Sequence, residues 1–152
     1  MTQVHLTLCT QAENSAFVTG FFKGVSERKQ FATLVAGLYF VYDAMESAFD
    51  ASEDANVRAL DVPALRRVAS LENDMLYYFG SDWRTTVKPT AAARKYVERI
   101  QHIAANEPQL LIGHQYTRYL GDLFGGQMMG GMATKSLGLE AGLACCPQPP
   151  VA

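Results

Sequence analysis

The stretch His114-Gln-Tyr-Thr-Arg-Tyr-Leu-Gly-Asp-Leu-Phe-Gly-Gly-Gln-Met-Met-Gly-Gly131 has the spacing of a helix together with five glycines that argue against one. Each interior glycine costs about 0.5–1 kcal/mol relative to alanine. A helix tolerates that cost where its backbone must bend or must approach something closely. Gly121 and Gly125 lie four apart and clear a strip of the helix face to bare backbone, while His114, Arg118 and Asp122 form a second i, i+4 row beside it. A flat ligand fits such a strip, next to polar groups. A close crossing with another helix explains the small residues equally well. A membrane contact does not, because Arg118 and Asp122 interrupt the apolar run and no stretch is long enough to span a bilayer. A phosphate loop fails on context: no strand pattern precedes Gly125-Gly126 and no Gly-Lys-Ser/Thr follows.

Outward from this segment the chain reads as helix almost throughout. Ala16, Phe17, Phe21 and Phe22 recur at helical spacing and Gly24 ends a first helix. Ser26 caps a second, with Phe31, Leu34, Val35, Leu38, Val41, Tyr42 and Met45 on its inner side. Asp61 and Pro63 open a third, burying Leu65, Val68, Leu71, Met75, Leu76 and Phe79 before Gly80 stops it, and a loop follows. Pro89 and Thr90 start a fourth helix that runs to about Ala105, and Pro108 starts the glycine-rich fifth. No strand alternation appears, so the class is all-α. A single helical domain over residues 1–137 and an irregular tail over 138–152 are expected, the tail carrying helix breakers and no periodicity.

The 152 residues, 49% hydrophobic and 18% charged, suffice for one core and not for two ordinary domains. A net charge of −2 gives no footprint for nucleic acid. The first residues show no basic n-region with an apolar core, and no membrane span is expected. Three cysteines, Cys145 and Cys146 adjacent, form no disulfide framework and suit a reducing compartment, so a soluble protein of the cytoplasm or plastid stroma is expected.

Tyr116-Thr-Arg-Tyr-Leu-Gly-Asp-Leu-Phe-Gly-Gly-Gln127 closely resembles the distal-helix signature of the heme oxygenases. Thr10-Gln-Ala-Glu-Asn14 with Phe17, Leu38 to Glu46, Asp74 to Trp83 and Tyr96 to Leu111 are similar to further segments of that family, in its order and with little gapping. The resemblance covers about Thr10 to Gln127. It implies an all-α heme oxygenase-like fold, shortened at the C-terminus where the family usually continues through helices that close the heme pocket. It also implies heme as substrate and cofactor, held between the first helix and the glycine-rich helix, with Gly121, Gly125 and Gly126 leaving room at its distal face for dioxygen.

By the same resemblance Asp122 holds a water that donates a hydrogen bond to oxygen bound at the heme iron and so favours self-hydroxylation of the porphyrin over O–O cleavage. Arg118, Tyr42 and Tyr96 extend that polar network, and Tyr116 and Thr117 belong to the heme contact. Glu13 sits beside the proximal ligand. That ligand is a histidine in the family, at a position occupied here by Cys9. A thiolate is a competent axial ligand with a different electronic push. His5 lies four residues earlier and reaches the iron only if the helix shifts by about 5–6 Å. Phe124 replaces a small polar residue of the usual signature.

The reaction implied is oxidative cleavage of heme to biliverdin, carbon monoxide and ferrous iron. It uses O2 and electrons from ferredoxin or an NADPH-dependent cytochrome reductase. Two alternatives remain at this point. One is a truncated non-catalytic protein that binds heme or a partner through the surviving helices, favoured by Cys9 and by the shortened chain. The other is a purely structural helical domain, which leaves the glycines unexplained. Without the family, Arg118 and Asp122 read as a surface i, i+4 pair and the tyrosines as satisfied core phenols.

Overall fold

A computed structural model describes residues 19–20, 28–126 and 130–131, and among these every regular element is helical. The spine is α1, Arg28–Ala51, whose 24 residues extend about 36 Å. Phe31, Val35, Tyr39, Tyr42, Met45 and Phe49 recur every three or four residues and are all buried, so one stripe of α1 forms the centre of the core. The chain then turns through α2, Ala55–Leu60, which Asp54 caps by accepting from the amides of Asn56 at 2.8 Å and Val57 at 3.1 Å. A 3-10 turn at Pro63–Leu65 leads to α3, Val68–Phe79. Gly80 ends α3 with a φ of +81°, a backbone conformation that favours glycine.

A short helix α4, Trp83–Thr86, follows and buries Trp83 edge-on against Tyr39 at 4.7 Å. Helix α5, Ala91–Asn106, starts where Thr90 accepts from the amide of Ala93 at 3.2 Å. It packs along α1 on one side while α3 packs along the other. After a 3-10 turn at Pro108–Leu110 comes α6, Leu111–Gln115. The glycine-rich segment then continues as two π-helical stretches, Tyr116–Leu120 and Asp122–Gly126. Leu71, Met75, Ile100, Ile103 and Leu111 close the core around Tyr42 and Met45 with essentially no exposed surface. Each such side chain contributes about 1.5–3 kcal/mol through burial.

The periodicity locates α1, α3 and α5 well and misses smaller features. The region expected to open the third helix at Pro63 divides into a 3-10 turn and a separate helix from Val68, because Arg66 and Arg67 leave the helical path between them. The loop after Gly80 contains α4, and residues 55–60 form a helix too short to show a period. Leu76, expected inside, is 52% exposed, since the buried face of α3 runs through Leu71, Asp74 and Met75. The first helix, apart from residues 19–20, and the Ser26 cap lie outside the described residues, as do Cys9, His5, Glu13 and the 138–152 tail. Among the described residues no helix is long and apolar enough to cross a membrane.

Candidate functional site

Asp122 is presented where the glycine-rich helix crosses α1, and it is the hub of a polar cluster. The Tyr42 hydroxyl, eighty residues earlier in the chain, donates to Asp122 Oδ2. Arg118, one turn before it, donates from Nη2 to Oδ2 at 3.1 Å and to Oδ1 at 3.2 Å, and the guanidinium lies 5.7 Å from the centre of the Tyr42 ring. Both members of the Arg118–Asp122 pair keep about a quarter of their side-chain surface in contact with solvent. Its Coulomb energy alone is therefore small, and its value here is orientation. Tyr42 has no exposed surface. Burial pushes its phenol well above the usual tyrosine range, the neighbouring Asp122 charge and the hydrogen bond to it push the same way, and Arg118 opposes. Tyr42 therefore stays protonated and serves as a fixed donor.

Tyr96 stands on α5 and lines a cavity of about 430 Å³ with Leu34, Leu38 and Val41 of α1, Ala93 of α5, and Arg118. Its hydroxyl does not join Asp122. It bonds instead to His114 Nδ1 at 2.9 Å, and its link to the cluster is electrostatic. Burial raises the Tyr96 phenol, Arg118 lowers it and Asp122 raises it. Burial and then the Arg99 charge lower the His114 imidazole, which favours a neutral ring at neutral pH.

The same helix presents an open face. A Cβ added at Gly121 or at Gly113 meets nothing within 4 Å, and Tyr116, Thr117 and Leu120 are exposed on the turns between them. Tyr116 is 70% exposed, while the Thr117 hydroxyl folds back onto the Gly113 carbonyl at 2.8 Å. Gly125 and Gly126 lie in the second π-helical stretch. The buried Nε of Arg118 has no acceptor, a donor still unmet beside Asp122. A bare, flat strip of backbone flanked by a carboxylate and an unsatisfied donor fits a planar macrocycle with a polar reaction on one face. Of the expected residues, Tyr42, Arg118 and Asp122 are brought into one cluster, and Tyr96 adjoins it through the cavity. Tyr116, Thr117 and Gly121 lie on the exposed side.

Two residues of the cluster escape sequence reasoning. Glu46, on α1 one turn beyond Tyr42, is only 7% exposed and accepts from the Tyr119 hydroxyl at 3.2 Å. Its one signal is a carboxylate in line with the apolar stripe of α1. Tyr119, 6% exposed, packs edge-on against Tyr42 at 5.1 Å.

A model of the family described as heme oxygenase matches residues 2–148. This chain belongs to the heme oxygenase family. The match extends past the Thr10–Gln127 span over which the resemblance is evident in motifs. Heme oxygenase 1 of Synechocystis sp. is 45% identical over 134 residues, which is 88% of this chain and 56% of that relative. Heme oxygenase 2 of Mus musculus is 44% identical over 133 residues, 86% of this chain and 42% of its own. Among solved structures, the Synechocystis heme oxygenase-1 complex with heme superposes with a TM-score of 0.84 at 43% identity, covering 91% of this chain and 63% of that one. The heme oxygenase of Leptospira interrogans superposes with a TM-score of 0.79 at 34% identity, covering 88% and 66%. The chain thus spans about half the length of the curated heme oxygenases that it matches.

Proposed function

We propose that this chain carries the distal half of a heme-cleaving site and catalyses conversion of heme to biliverdin, carbon monoxide and ferrous iron. It would use O2 and electrons delivered by ferredoxin or an NADPH-dependent reductase. The observation that carries this reading is the fixed Asp122 carboxylate, held from two sides by Tyr42 and Arg118 beside the open backbone at Gly121. Heme supplies the iron at which dioxygen is reduced and the porphyrin that is oxidised. The protein's part is placement. Gly121, with Gly125 and Gly126, keeps side chains off the distal face, and Tyr116 and Thr117 border that face. Asp122, oriented by its two donors, accepts from a water and presents it to the reacting side. Tyr42 stays protonated, so the carboxylate keeps one direction through the reaction. Tyr96 borders the cavity through which water reaches Arg118.

On the proximal side Cys9 or His5 supplies the iron ligand and Glu13 supports it. The ferrous carbonyl Soret band separates the two, thiolate-type for Cys9 and imidazole-type for His5. Three cysteines, two of them adjacent, suit a reducing compartment such as the cytoplasm or plastid stroma. A protein that only binds heme has no use for a carboxylate clamped at the open strip, which favours catalysis over the non-catalytic alternative.

The test is hemin added to the purified full chain under air with ascorbate or a ferredoxin system, following the Soret band and bilin absorbance. Wild type is expected to lose the Soret band and yield biliverdin. Asp122→Ala is expected to bind hemin within about threefold of wild type, since the carboxylate does not ligate, and to yield at least about tenfold less biliverdin. Unchanged biliverdin from Asp122→Ala removes Asp122 from the mechanism, and a stable wild-type Soret complex without biliverdin removes the activity.

A further inference from the structure

Asp122 follows directly on a π-helical stretch, and nothing in that stretch alone keeps it wide. A π turn closes i→i+5 bonds and survives only where its surroundings hold it. Reversion of Tyr116–Leu120 to α-helix slips everything after it by one residue, about 100° of rotation and 1.5 Å of rise. Such a slip takes the carboxylate away from Tyr42.

Two contacts with α1 grip this segment, one inside the wide turn at Tyr119 and one just past it at Asp122. Their partners, Glu46 and Tyr42, lie one α-turn apart on the same face of α1. The Tyr42 and Tyr119 rings meet edge to face at 86°, which fills the space between the two contacts. Glu46 is itself anchored. The same Oε1 that takes the Tyr119 hydroxyl accepts from the amides of Arg67 at 2.6 Å and Val68 at 3.1 Å, at the start of α3. Helix α3 has no capping side chain of its own there, so a carboxylate from α1 meets the positive end of its dipole. Three helices converge on one buried oxygen.

We propose that Glu46 and Tyr119 are positioning residues for Asp122: the anchored Glu46 carboxylate takes the Tyr119 hydroxyl, holds the π turn in register, and thereby aims Asp122 at Tyr42. The inference deepens the proposed function, because it supplies the device that sets the working carboxylate. A simpler role for Glu46, capping α3 alone, leaves Tyr119 without influence on Asp122, and that difference makes the question testable without substrate.

The experiment uses the ligand-free full chain carrying tyrosine labelled with carbon-13 at Cζ, with Tyr42→Phe assigning the Tyr42 line. The readouts are the Tyr42 Cζ shift and the exchange rate of its hydroxyl proton with water. Tyr119→Phe keeps the ring packing and removes only the hydroxyl. It is expected to move the Tyr42 shift toward that of Asp122→Asn and to speed the exchange about tenfold, the loss of one buried hydrogen bond. Glu46→Gln keeps an oxygen acceptor and is expected to fall between wild type and Tyr119→Phe. Unchanged shift and exchange in a folded Tyr119→Phe overturn the proposal, with Glu46 left as a helix cap. In a parallel hemin assay, Tyr119→Phe is expected to lower kcat at unchanged hemin affinity. If wild type itself makes no biliverdin, the proposed function fails while the ligand-free readings still decide the clamp.

Discussion

Tyr42→Phe removes one atom from the centre of the site, and its consequences can be worked out from the geometry. The hydroxyl donates to a carboxylate from a fully buried ring, and bonds to charged acceptors contribute about 1.5–3 kcal/mol. Asp122 keeps Arg118 and some solvent, so the lower end applies, about 1.5 kcal/mol. For a chain near 150 residues that corresponds to roughly 3–6 °C in Tm. A second, sharper signature appears in alkali. The folded protein raises the Tyr42 phenol above its ordinary value of 10.0, so above pH 10 the unfolded chain releases a proton that the folded chain keeps. The stability associated with this group is therefore complete below pH 10 and declines as pH rises beyond it, at about 1.4 kcal/mol per pH unit. Urea unfolding followed by far-ultraviolet circular dichroism, between pH 7 and 11.5, measures both effects. Tyr42→Phe should be less stable at pH 7 and should show a slope above pH 10 that is shallower by about 1.4 kcal/mol per pH unit. If the two proteins have the same alkaline slope, Tyr42 is not held protonated in the fold and the fixed-donor argument fails.

Gly121→Ala should separate folding from function. The open space at its Cβ position and its helical backbone predict a gain of about 0.5–1 kcal/mol in the ligand-free chain, while hemin turnover falls; a loss of stability in urea refutes the open-strip geometry. Asp74, 3% exposed with Oδ2 accepting no hydrogen bond, has its carboxyl pushed up to about 6 by burial, with Arg67 opposing. This group's contribution to stability is present below pH 4 and is lost as pH rises through 6, so Asp74→Asn should be more stable than wild type at pH 7.5 and should lose most of that advantage by pH 4. An advantage that does not change with pH between 4 and 7.5 refutes the assignment.

What the sequence determines here is what acts over one or two helical turns. Thr90 starts α5 because its hydroxyl reaches the amide three residues on, Gly80 ends α3 because it accepts a positive φ, and the apolar stripe of α1 marks its buried face. The run from Tyr116 to Gln127 also determined the family, since so many helix-opposing glycines beside Arg118 and Asp122 have few alternative explanations. Tertiary structure decides everything that depends on how those helices cross. The Tyr42–Asp122 bond joins residues eighty apart, and the Tyr119–Glu46 bond residues seventy-three apart. No spacing rule connects such positions. The widening of the glycine-rich helix into π turns is equally illegible, because local propensity favours the α form there and only contacts from α1 oppose it. Leu76 shows the same limit from the other side: an apolar residue in helical register points to solvent because α3 presents the adjacent Met75 to α1 and leaves its neighbour on the rim.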